Sequence, residues 1–285
     1  MLKPGQTKFS TNHNKLAVIS GEGRLPQLIF KEGERIGLEV WAFYPSKLDI
    51  DAPKNNQRVE FNPLDIEGLF SELKRRKILD VVLAGKITRS TNNYMKLQKS
   101  DNLFSNQINP ILQQTDDKVL RKIGSLFEDF GFNIRGILEI LPNSLASEAI
   151  LTNKEPSLQD KSDIIKALEY QAIISGSDIG QSVVVANGLC LGLETLPGTD
   201  AMLDFVKRFK NRAQEDMIKS GILYKAIKAE QDTRFDVPVV GRTTIRKVKE
   251  ANLRGIALKK DSVIIIEKHK VVQLADKLDI FIVTV

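Results

Sequence analysis

Apolar positions fall into short runs separated by amphipathic stretches. Leu16–Ser20 reads as a strand and ends in Gly21-Glu22-Gly23; an amphipathic stretch from Leu25 to Arg35 follows, then strand-like Gly37–Phe43. Glu67–Lys77 reads as a helix and Asp80–Ala84 as the next strand, punctuated by Gly85. Asp101–Gln113 and Asp116–Phe130 are helical. In the second, Leu120, Ile123, Leu126, Phe127 and Phe130 recur at helical spacing, and Gly131 supplies a stop. Ile134–Ile140 reads as a further strand. Strands alternating with helices predict a Rossmann-like α/β domain with a mostly parallel sheet over 15–141.

The polar segment 142–156, with two prolines, reads as a linker. Ser157 caps a helix to about Ser175. Ser182–Ala186 and Leu189–Glu194 are apolar runs joined by Asn187-Gly188, the strongest short hairpin signal because both turn positions need φ > 0. Antiparallel pairing therefore enters here. Asp200–Lys210, Thr243–Ala251 and Lys268–Leu278 read as helices. Leu223–Lys228, Gly255–Leu258, Ser262–Ile266 and Ile280–Val283 read as strands, and Gln231–Val240 as a loop. Residues 157–285 are thus expected to form a mixed-sheet α/β domain, and 1–14 a frayed leader with no apolar signal core.

Composition narrows the chemistry. With 285 residues and 42% hydrophobic content, the chain can bury one large core or two ordinary ones. Its single cysteine, Cys190, excludes an internal disulfide and a cysteine-based zinc site, and is expected in the core of a protein of the reducing cytoplasm. The two histidines, His13 and His269, exclude a histidine-rich metal centre and argue against a Ser-His-Asp triad. Any metal should be Mg²⁺-like and held by carboxylates. The net charge of +6 points to an anionic partner. The basic residues are scattered and aromatics are only 6%, so a phosphorylated ligand or anionic membrane surface is favoured over nucleic acid.

Four segments can carry chemistry. Gly21-Glu22-Gly23-Arg24-Leu25-Pro26 is either a tight turn into a helix or a phosphate contact at a helix N-terminus. As a dinucleotide fingerprint it is incomplete, because Pro26 stands where the third glycine belongs, which weakens a nicotinamide-dependent reading. Gly85, Lys86 and Arg89 follow a strand's C-terminal end, where open α/β sheets bind ligands, and the two cations suit a diphosphate. In Glu194-Thr195-Leu196-Pro197-Gly198-Thr199-Asp200, Thr199 is placed to cap the next helix, or Glu194 and Asp200 to share a hard cation. In 225–238, Lys225, Lys228, Asp232, Arg234 and Asp236 are the residue types of phosphoryl chemistry, and equally those of a surface loop with exposed ion pairs.

Five stretches together, LAVISGEGRLP, DVVLAGKITRS, TDDKVLRKIGSLFEDFGF, IGQSVVVANGLCLGLETLPGTDAML and KAIKAEQDTRFDVPVVG, resemble the LpxI (DUF1009) family of UDP-2,3-diacylglucosamine pyrophosphatases, from about Lys15 onward. The resemblance implies hydrolysis of that UDP-linked sugar to 2,3-diacylglucosamine 1-phosphate and UMP in lipid A assembly at the inner membrane face. It implies Mg²⁺, a homodimer, and two domains holding substrate between them. It makes Asp236 the key acid, and places Glu194, Asp200, Asp232, Arg234, Lys225 and Lys228 at motif positions. Ala229-Glu230 in place of Pro-Gly, and Lys86 and Thr88 in place of Asn and Ser, are departures. A non-catalytic nucleotide-sugar binding module is the alternative.

Overall fold

A computed structural model describes residues 14–45, 57–63, 65–86, 116–177, 179–212, 220–229 and 231–285. It divides into two compact units, 1–143 with Asp232–Asp236, and Ser144–Gln231 with 237–285. Residues 1–13 of the expected leader, the helix over Asp101–Gln113, and Arg89 lie outside the described residues.

In the first unit, β1 (Lys15–Ser20), α1 (Leu25–Arg35), β2 (Glu39–Pro45), β3 (Arg58–Phe61), α2 (Ile66–Arg75), β4 (Asp80–Ala84), α3 (Asp116–Asp129), β5 (Asn133–Ile134) and α4 (Ile137–Ile140) follow in order. The sheet order is β3-β2-β1-β4-β5, parallel throughout. Phe70, Phe127 and Phe132 are buried side chains of a core with Leu69, Leu73 and Leu126, and the Phe70 and Phe127 rings meet edge-on at 4.9 Å. Two readings change. Arg58–Phe61 is a strand, too short and at too exposed an edge to stand out in the sequence. Ile134–Ile140 is not one strand: Glu139 accepts the Gly136 N–H at 2.8 Å and starts the short α4.

The second unit contains α5 (Leu158–Gly176), β6 (Ser182–Ala186), β7 (Leu189–Leu193), α6 (Gly198–Arg212), β8 (Ile222–Lys225), β9 (Val239–Val240), α7 (Arg242–Glu250), β10 (Gly255–Leu258), β11 (Ile264–Ile265), α8 (Lys268–Lys277) and β12 (Phe281–Thr284). Its main sheet runs β12-β10-β8-β6-β7, with β6 antiparallel to both neighbours. Both faces are covered. Val184, Leu223, Ile256 and Ile282 pack with Met202, Leu203 and Val206 of α6, whereas Val183, Val185, Ile222 and Tyr224 pack with Ile164 and Ala167 of α5. Burial on both sides explains why these strands read as continuous apolar runs instead of alternating.

Residues 144–156, read above as linker, are packed into this unit. Ala146 is fully buried, and Leu151 N–H donates to Ile282 O at 3.0 Å. The Asn187-Gly188 hairpin forms with φ of 48° and 79°, and buried Asp163 of α5 accepts both turn N–H groups, at 3.0 and 2.7 Å. Cys190 is exposed, because β7 is the sheet's edge.

The excursion Asp232–Asp236 joins the first unit through Phe235, which is buried in that unit's core. A Cβ at Gly124 of α3 would lie 2.0 Å from the Phe235 ring, so only glycine lets the ring seat. We expect Phe235→Ala to destabilise the first unit by about 3–5 kcal/mol in urea unfolding, and Gly124→Ala to act in the same direction.

Candidate functional site

In the first unit β1 and β4 are neighbours although β2 and β3 intervene in the chain, so a topological switch lies beyond their C-terminal ends. The loops there are stitched together. Gly21 N–H donates to Ala84 O at 2.7 Å, Glu22 N–H to Lys86 O at 2.8 Å, and Lys86 N–H to Glu22 O at 2.9 Å. A Cβ at Gly21 would sit 2.6 Å from Lys86 O, and one at Gly85 (φ +93°) 2.7 Å from Glu22 O. These glycines therefore serve loop-to-loop approach, and the N–H groups of Gly21, Glu22 and Lys86 are spent between the two loops. Gly23 has open space where a Cβ would stand; Leu25 and Pro26 are buried in the first turn of α1; the Lys86 side chain is exposed.

Within the excursion, Asp232 accepts the Arg234 backbone N–H at 3.0 Å and its Nη2 at 2.9 Å, while Nη1 donates to Glu128 of α3 at 2.6 Å. The guanidinium lies 5.0 Å from the Phe235 ring centroid. The hydrogen bond from Arg234 holds the Asp232 carboxyl below its ordinary range, and Asp232, then Glu128, push the Arg234 guanidinium up. Arg234, one of the residue types read for phosphoryl chemistry, is paired here with two carboxylates. Asp236 is half-buried, and its N–H donates to Asp232 O at 3.2 Å.

The second unit gathers a tighter cluster. Side chains alternate along a strand, so Ser182 shares the α6 face with Val184, and Lys225 with Leu223. Ser182 and Lys225 are cross-strand partners at the sheet edge where β8 ends. Both therefore meet the first turn of α6. Lys225, only 7% exposed, donates through Nζ to Thr199 Oγ1 at 2.8 Å. Thr199 Oγ1 donates to Glu194 Oε2 at 2.8 Å and lies 3.3 Å from Ser182 Oγ. A hydroxyl has one proton and two lone pairs. With its proton given to Glu194, Thr199 takes hydrogen bonds from Lys225 and Ser182 and is saturated. Thr199 is inside the helix, which begins at Gly198, so it bridges strand and loop and does not cap.

Lys228 is placed nearby in the chain: its backbone N–H donates to Gln231 Oε1 at 3.1 Å, an oxygen also bonded by Gln181 Nε2 at 3.1 Å. The structure thus unites Thr199, Lys225 and Glu194 in one unit, and Asp232 with Arg234 in the other. Ser182 and Glu128 were missed. Ser182 was legible as the polar head of an apolar strand; Glu128 had no signal. Of the proposed metal acids, Glu194 is engaged by Thr199, and Asp200 is exposed in the first turn of α6. Among the described residues no group of three or more His, Cys, Asp or Glu could hold a metal ion. The acids do not make an all-protein cage.

A parallel α/β unit followed by a mixed α/β unit, with a buried cation at the edge where a strand ends, defines a two-unit α/β protein. The chain belongs to the LpxI family: the LpxI N-terminal domain matches residues 15–144 and the LpxI C-terminal domain residues 147–283. It is similar to the UDP-2,3-diacylglucosamine pyrophosphatase LpxI of Caulobacter vibrioides, 30% identical over 280 residues, covering 95% of this chain and 97% of the relative.

Two outcomes follow from the geometry. Thr199→Val removes the shared hydroxyl and should cost roughly 1–3 kcal/mol in urea unfolding, with Thr199→Ser restoring most of it. Because the Asp232 carboxyl is held low, its contribution is complete above the ordinary carboxylate range and lost as pH falls through the lowered value. Asp232→Asn should therefore lower the urea midpoint at neutral pH, with the gap to wild type closing in acid.

Proposed function

We infer that this protein hydrolyses the diphosphate of UDP-2,3-diacylglucosamine, releasing UMP and 2,3-diacylglucosamine 1-phosphate for lipid A biosynthesis. The carrying observation is that both LpxI domain models match, together spanning the chain from 15 to 283, and that the pyrophosphatase relative aligns over 95% of it. The buried Lys225, bonded to Thr199, supports the reading chemically. A cation fixed before substrate arrives offsets charge that grows on a transferring phosphoryl group without reorganising.

Lys225 and Lys228 bind and orient the diphosphate in this scheme. Asp236 orients the attacking water, and the Asp232–Arg234–Glu128 pairing holds the backbone from which Asp236 projects. Mg²⁺ commonly takes one or two carboxylates and completes its shell with water and substrate phosphates, so the missing cage is no obstacle. Asp236 would hold it, and when bound it supplies positive charge at the diphosphate. Glu194 is better used fixing Thr199 than ligating metal. No helix among the described residues is long and apolar enough to cross a membrane. In this reading the enzyme is cytoplasmic, peripheral at the inner membrane face, and works as a homodimer.

The test is UMP release from UDP-2,3-diacylglucosamine with and without Mg²⁺. Wild type should release UMP, and Asp236→Ala should lose turnover by several orders of magnitude while still binding substrate and unfolding at the wild-type urea midpoint. Full turnover in that variant removes Asp236 from the mechanism; substrate binding by wild type without UMP release leaves a binding module.

A further inference from the structure

Helix α6 has an outer face that the site does not use. Its inner face buries Thr199, Met202, Leu203 and Val206. On the other side, Ala201, Phe205, Arg208, Phe209 and Arg212 follow at i, i+4, i+7, i+8 and i+11, a single stripe along a 3.6-residue period. Phe205 is 53% and Phe209 43% exposed, and their rings stack 6.4 Å apart with planes 9° from parallel. Leu196, just before the helix, is 84% exposed. Phe205 and Phe209 are thus two large apolar groups left in water side by side, not single scattered ones.

Along the stripe itself the charged residues are arginines; Asp200, exposed in the first turn, lies off it. Asp204, at the edge of the stripe, is neutralised by Lys247 at 2.6 and 2.7 Å. Lys207 is paired with Glu250 at 2.9 Å. Arg208 and Arg212 are exposed, and neither has an ion-pair partner among the described residues. Among the described residues the other helix with exposed apolar side chains is α5 (Leu158, Ile165, Ile173), whose surface charges are Lys161 and the paired Lys166 and Glu169, while Asp160 and Asp163 are buried.

Phenylalanines flanked by unbalanced arginines on one helical face match the boundary between acyl chains and anionic headgroups. We propose that this face of α6 docks the protein on an anionic lipid bilayer. Choosing a bilayer over another occupant rests on the charge of the stripe and on the reading of an acylated substrate. The same helix contributes Thr199 to the Lys225 cluster, so a single rigid element reaches from the lipid-facing stripe to the phosphate-handling residues.

The experiment is cosedimentation of the full chain with vesicles of phosphatidylglycerol and phosphatidylcholine, against phosphatidylcholine alone. Wild type should bind the anionic vesicles and be released by added salt. The Phe205→Ser/Phe209→Ser and Arg208→Glu/Arg212→Glu double variants should each lose more than about tenfold in partitioning, and Ile165→Ser on α5 should match wild type. UMP release from detergent-dispersed substrate should persist in all three. Its absence in wild type as well would count against the enzymatic reading and leave the vesicle result to be judged by itself. Failure of wild type to bind anionic vesicles, or wild-type binding by both double variants, overturns the proposal. So does a shift in oligomeric state in the phenylalanine variant with unchanged vesicle binding, which would assign the face to a second copy of the chain.

Discussion

A buried ammonium has to be matched, and the local structure of the second unit is organised around that demand. Lys225 ends a central strand at 7% exposure, where an unpaired charge would cost several kcal/mol. A neutral hydroxyl touches the cation, and the carboxylate of Glu194 stands behind the hydroxyl. That requires three pieces of chain at one spot: the last position of β8, the first turn of α6 and the loop leaving β7. Ser182, paired in register with Lys225, fills the remaining lone pair.

In the first unit the same question of where polar groups go has the opposite answer. The glycine loops at the switch satisfy each other through the backbone. The cation of the excursion, Arg234, is held between Asp232 and Glu128. The segment with the densest charge pattern in the sequence is therefore largely an anchor, fastened by Phe235 in the core and a paired guanidinium above it. Asp236 inherits a fixed backbone from residues that are themselves occupied.

Much of the fold was legible because it depends on local rules. Ser182–Ala186, Gly255–Leu258 and Ile280–Val283 were readable as strands since both sheet faces are buried, and the hairpin since Asn187-Gly188 must turn there. Arg58–Phe61 was not readable, being a short strand at the sheet's edge. Ile134–Ile140 misled because its apolar run continues through a change from strand to helix. In the candidate site, residue types were legible and partnerships were not. Thr199 looked like a cap because Ser182 and Lys225, the side chains that claim it, are 17 and 26 residues away. Asp232 and Arg234 looked like free chemistry because Glu128 lies 106 residues from Arg234.

Five residues of the carboxyl-terminal half belong to the amino-terminal unit, so neither unit is an uninterrupted length of chain. Anyone recombining halves from different relatives would cut most naturally near 143, and would then seat a foreign aromatic plug in a socket shaped by another protein's glycine. A workable hybrid must transplant the short insert along with the half that receives it. Over evolutionary time, the same seam ties drift in α3 to drift in a loop encoded more than a hundred codons downstream.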